Sequence, residues 1–130
     1  MVAIDTNIIV RFLTRDDENQ FQRALALFEE EKAIYIPDTV LLETEWVLRF
    51  AYDFSPAETR SALTKLLGLP NVEVADAEAI ASALEWQAKG LDFADALHLA
   101  KSPNAKKFLT FDAKFIKKAK GLSNCHVESP

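Results

Sequence analysis

Short apolar runs that stop at polar, helix-capping residues alternate along this chain with longer amphipathic stretches, and that alternation constrains the fold more than any other feature. Val2-Ala3-Ile4 reads as a buried strand broken by Asp5-Thr6-Asn7, all capping types, with a helix beginning over Ile8 to Leu13. A second helix is predicted from Glu18 to Glu31, with Phe21, Leu25 and Phe28 on one stripe. Ala33 to Ile36 is a strand closed by Pro37-Asp38, and Val40 to Tyr52 a helix. Ser55 as cap, Pro56 at the first position and Glu58 in the first turn start a further helix, running to Leu67 and stopped by Gly68. Val72 to Val74 is a strand. Asp76 caps a helix reaching Lys89-Gly90, and Asp92 caps another reaching about Lys101. Phe108 to Phe111 is a strand ending at Asp112, a short helix follows, and Cys125 to Val127 is a last strand. Strands alternating with helices define an α/β domain with a mostly parallel central sheet. Ligands of such sheets bind beyond the carboxyl ends of the strands, where Asp5 and Asp112 both fall.

The length of 130 residues suits one domain, and with 49% hydrophobic residues a core forms without staples. A single cysteine, Cys125, excludes an internal disulfide framework and a cysteine-rich zinc site. A reducing compartment, the cytoplasm, is expected. Met1 to Asp5 lacks the basic and apolar regions of a signal peptide, and no run is long enough to span a membrane. The net charge of −5 argues against a nucleic-acid partner, but the charges are unevenly spread. Residues 1–100 hold 8 Lys and Arg against 18 Asp and Glu, whereas residues 101–120 hold seven lysines and one acid. Lys106, Lys107 and Lys114 in that block are candidates for phosphate contact; the plainer reading is a solvated basic surface near a terminus.

Four acids carry the chemistry. Asp5 and Asp112 each follow a strand, and each taken alone is adequately explained as a helix cap. Glu43 is more informative, because the positions three, four and seven further on are Trp46, Val47 and Phe50. The expectation is a carboxylate turned toward the core, costly unless paired or metal-bound. Glu45, with Arg49 four residues on, is expected to be an ordinary exposed ion pair. Asp92 is placed as a cap, which puts Asp95 in the first helical turn, partly inward on the side of Leu91, His98 and Leu99. Such acids in one small domain would repel one another without a cation. An oxygen-only set suits Mg²⁺ or Mn²⁺, and four carboxylates around two ions about 3.5–4 Å apart serve in-line phosphodiester cleavage. Thr6 and Thr110 are candidates to orient the carboxylates. The three glycines are scattered, so no phosphate loop is present, and Cys125 beside His126 is adjacency only.

The order Val2-Ala3-Ile4-Asp5-Thr6-Asn7, Leu41-Leu42-Glu43-Thr44-Glu45-Trp46, Asp92-Phe93-Ala94-Asp95-Ala96-Leu97 and Leu109-Thr110-Phe111-Asp112 resembles the PIN-domain family over nearly the whole chain, and within it the VapC group of VapBC toxin–antitoxin pairs. The resemblance implies a PIN-like three-layer fold, with a mostly parallel sheet of about four or five strands flanked by helices. It implies an endoribonuclease dependent on one or two Mg²⁺ or Mn²⁺ ions, with Asp5, Glu43, Asp95 and Asp112 as its acidic quartet and Thr6 and Asn7 shaping the site. It also implies RNA as substrate, a homodimer, and a VapB-like antitoxin covering the active site. Among Phe21, Phe28, Trp46, Phe50, Tyr52 and Phe54, some are expected to form a groove or dimer surface rather than core. The alternatives are a PIN fold that binds RNA or protein without cutting, and a PIN nuclease of RNA processing outside any toxin pair. A response-regulator-like domain would need two acids near the start and a lysine ending the last strand. Another kind of α/β phosphatase would need an acid at position seven, which is Asn7.

Overall fold

A computed structural model describes residues 1–130, which fall into two compact units, Met1–Ala75 and Asp76–Pro130. The first unit contains β1 (Val2–Ala3), α1 (Thr6–Thr14), α2 (Glu18–Glu30), β2 (Ile34–Tyr35), α3 (Asp38–Ala51), α4 (Pro56–Leu67) and β3 (Val72–Glu73). Its three strands form a parallel sheet in the order β1-β2-β3, with Val2 opposite Ile34 and Ile34 opposite Val72. Parallel neighbours need a long return connection, and here each return is a pair of helices, α1–α2 and then α3–α4. Ile34, Ile36, Ile9, Leu41, Leu48 and Leu63 are fully buried and make the centre of this unit's core. Phe12 stacks on Phe28, with ring centroids 4.3 Å apart, where α1 meets α2. Asn71 ties the carboxyl end of α2 to the start of β3, its Nδ2 donating to the carbonyls of Phe28 at 2.9 Å and Glu31 at 2.8 Å.

The second unit contains α5 (Ala77–Ala88), α6 (Phe93–Ala100), β4 (Lys107–Leu109), α7 (Ala113–Lys118) and β5 (His126–Glu128). β4 and β5 pair in parallel, with Phe108 opposite Val127. α5 packs against α6, and Ile80, Ala83, Phe93, Ala96, Leu97 and Leu99 of the two helices are buried. Gly90 separates these two helices at φ 106°, a left-handed backbone that only glycine takes without strain.

Parallel pairing is as expected, but the strands are short and divide into three plus two rather than one continuous ladder. The last strand lies at His126–Glu128, one residue beyond its predicted position, and β4 stops two residues before Phe111. α1 begins at Thr6, not Ile8, because Asp5 itself serves as its cap. The predicted caps Ser55, Asp76 and Asp92 are all in place, Ser55 within a full capping box.

Candidate active site

In the first unit the end of β1 delivers Asp5 and Thr6. Ile4 extends the sheet by donating its N–H to the Tyr35 carbonyl at 3.2 Å. Asp5, in extended backbone, turns its Oδ1 to the Thr6 N–H at 2.8 Å and so starts α1. Thr6 is buried on the first turn, and its hydroxyl makes a very short hydrogen bond to Glu43 Oε1. A residue of α3, 37 positions away, is thereby held at the amino end of α1, where the helix dipole favours a negative charge. Asp5 and Asn7 are exposed.

Glu43 does not face the core, which corrects the sequence expectation. It is exposed, as are Trp46 at 56% and Phe50 at 61% on the same side of α3. The buried stripe is Leu41, Thr44, Glu45 and Leu48. Glu45, expected at the surface, is the buried acid, paired with Arg49 through Nε at 2.5 Å and Nη2 at 3.2 Å. The pairing was legible in the i,i+4 spacing; its side of the helix was not. Of the six aromatics expected to supply a surface, Phe28 is buried and Phe21, Tyr52 and Phe54 are half-buried, which leaves Trp46 and Phe50. Tyr52 is engaged locally, its hydroxyl donating to Asp16 Oδ2 at 2.6 Å and accepting from Arg11 Nη1 at 2.9 Å.

In the second unit Asp92 caps α6, its Oδ2 accepting from the Asp95 N–H at 3.2 Å. Asp95 lies half-buried in the first turn. Burial, then the charges of Asp92 and Asp112, hold its carboxyl above the usual carboxylate range, with His98 opposing. These three acids therefore share a neighbourhood. The sequence reading gave Asp92 only its capping role; the Asp92-to-Asp95 spacing within one turn was the signal that its charge would also act on Asp95. Asp112 is exposed and caps α7, its Oδ1 accepting from the N–H groups of Lys114 at 3.0 Å and Phe115 at 3.1 Å. Its own N–H donates to Thr110 Oγ1 at 3.0 Å, so Thr110 fixes the turn that presents it.

The basic block is partly committed. Lys107 Nζ lies 2.7 Å from Glu128 Oε1, which raises the lysine pKa and lowers that of the glutamate. Lys106 and Lys114 are exposed. Cys125 is buried just before the last strand, and the exposed His126 stands 3.3 Å from Glu128. The oxygen donors suit a hard divalent cation. No group of three or more histidine, cysteine, aspartate or glutamate side chains stands together as an ion would need.

Parallel strands joined by helices, with Asp5 and Asp112 presented just past strand ends, define an α/β protein. The PIN domain family model matches residues 2–121, across both units, and the chain belongs to that family. Among solved structures it is similar to the VapC20 toxin of Mycobacterium tuberculosis, a protein that cleaves the sarcin–ricin loop. Identity is 20% and the TM-score 0.45, over 97% of this chain and 99% of that one. It is also similar to VapBC2 of Rickettsia felis bound to a DNA fragment from its promoter, at 20% identity and a TM-score of 0.41, over 99% of this chain and 98% of that one. No curated protein matches the sequence. No helix is long and apolar enough to cross a membrane.

Proposed function

We propose that the chain works as a single PIN domain, a Mg²⁺- or Mn²⁺-dependent endoribonuclease that is the toxin of a toxin–antitoxin pair in the cytoplasm. The observation that carries this reading is the PIN family match from residue 2 to 121, in a chain that presents Asp5 and Asp112 just past strand ends. The charges of Asp92 and Asp112 act unfavourably on the half-buried Asp95 carboxylate, which a cation would relieve, and carboxylate oxygens are what Mg²⁺ and Mn²⁺ select. In this proposal Asp95 and Asp112 act with Asp5 and Glu43 as ligands of one or two ions. A bound divalent ion supplies an acidified water and cancels negative charge at the scissile phosphate. Thr6 orients Glu43 by donating to one carboxylate oxygen. Thr110 orients Asp112 through the turn they share, and Asn7 offers an exposed amide beside Asp5. Lys106 and Lys114 are the phosphate contacts of the basic block, since the Lys107 ammonium is already paired. The exposed Trp46 and Phe50, with ring centroids 5.1 Å apart, are the surface for a VapB-like antitoxin or a second copy of the chain.

The test is incubation of the purified chain with mixed cellular RNA in Mg²⁺, in Mn²⁺ and in chelator, beside Asp5→Asn and Glu43→Gln. Cleavage is expected with either ion, none with chelator, and none from either variant. A chain that neither cuts RNA nor binds Mn²⁺ by calorimetry is not this enzyme.

A further inference from the structure

We propose that the crease between α1 and α2 is a phosphate-binding subsite for single-stranded RNA, read by Arg23; this rests on the ribonuclease function proposed above. The crease encloses about 410 Å³. α1 lines it with Asn7, Ile8 and Arg11, and α2 with Gln20, Arg23 and Leu27, the last three on one face of the helix at three- and four-residue spacing. Its polar groups are two amides and two guanidiniums, and no acid lines it. That is unusual in a stretch of chain where acids outnumber bases by 18 to 8 over residues 1–100.

The two arginines differ. Arg11 is fixed, its Nε donating to Gln20 Oε1 at 2.6 Å and its Nη1 lying 3.3 Å from Asp16. Arg23 is exposed, and the residues three and four away on α2 are Asn19, Gln20, Ala26 and Leu27, none of them acidic. A free guanidinium in a donor-rich groove fits a phosphate with two parallel hydrogen bonds. Ile8 and Leu27, both half-buried, give an apolar floor for a sugar or base. Asn7 lies two residues past Asp5, about half a helical turn along the chain from a proposed catalytic carboxylate.

A fluorescent 12-nucleotide single-stranded RNA, followed by anisotropy in Mg²⁺, reads the subsite in the Glu43→Gln background. Arg23→Ala is expected to weaken binding about five- to tenfold near 0.1 M salt and to reduce the log–log salt slope by about 0.7, the share of one phosphate on a single strand. Arg23→Lys should keep most of the affinity, and Lys65→Glu, exposed on α4, should leave it unchanged. With Glu43 intact, Arg23→Ala should raise KM and spare kcat. Arg23→Ala and Arg23→Glu binding RNA with the parent affinity and slope overturns the subsite while leaving the nuclease standing. So does Arg23→Glu losing a co-purified protein with RNA binding unchanged, which assigns the crease to a protein partner. A folded parent that neither binds nor cuts RNA removes the nuclease reading and the subsite together.

Discussion

The orientation of α3 decides how Glu43 is used, and two alanine substitutions two residues apart on that helix, Leu48→Ala and Phe50→Ala, test it. Leu48 has no exposed surface, whereas Phe50 is 61% exposed. Truncating a fully buried leucine costs about 2–5 kcal/mol, transfer and cavity together. Unfolding entropy near 2.1 cal/mol/K per residue gives about 0.27 kcal/mol/K for a chain of this length. A loss of about 3 kcal/mol therefore lowers Tm by about 11 °C. Phe50 offers only its contact with Trp46 and the Arg49 guanidinium 4.9 Å above its ring. An exposed contact of that kind is worth about 0.5–1 kcal/mol, so Phe50→Ala should shift Tm by no more than about 4 °C. Circular dichroism melts of the two variants beside the parent make the comparison. If Phe50→Ala proves as costly as Leu48→Ala, the Glu43 side of α3 is core and the orientation described above is wrong.

Asp95→Asn should raise stability at neutral pH in the absence of divalent ions. Burial and the neighbouring Asp92 and Asp112 lift its pKa in the folded chain, so the folded state holds the proton more tightly than the unfolded one. The stability this confers is complete below the ordinary aspartate value near 3.9 and is lost as pH rises through the raised value. The gain from the neutral amide should thus be present at pH 7 and vanish in acid; equal melting temperatures at pH 7 would refute the crowding. Asn71→Ala removes the donor that serves two carbonyls at the end of α2, and a loss of about 1–3 kcal/mol is expected. Urea melts read it, and an unchanged midpoint would mean that solvent satisfies both carbonyls equally well.

What the sequence made legible was what short-range chemistry decides. Ser55, Asp76 and Asp92 were readable as caps because each bonds an N–H three residues ahead, within one turn. Asp112 was readable for the same reason, both as a cap and as a residue past a strand. The contact between Thr6 and Glu43 was not, since it depends on how α1 packs against α3 across 37 residues. The facing of α3 failed for a different reason. That helix carries apolar residues on two sides, Leu41 and Leu48 on one and Trp46 and Phe50 on the other, and spacing alone does not rank them. Size suggested the aromatics, but the stripe that is buried satisfies its polar members locally. Thr44 donates its hydroxyl to the Val40 carbonyl at 2.8 Å, and Glu45 takes Arg49. The two glutamates thus exchange the roles expected of them. A carboxylate sealed in the core beside an arginine is spent on structure, because an incoming ion or phosphate cannot reach it. A metal ligand has to be reachable and to keep an oxygen to offer, and Glu43 is the exposed one, held through a single oxygen by Thr6. Its candidacy therefore rests on exposure with orientation, a firmer basis than the burial by which the sequence first singled it out.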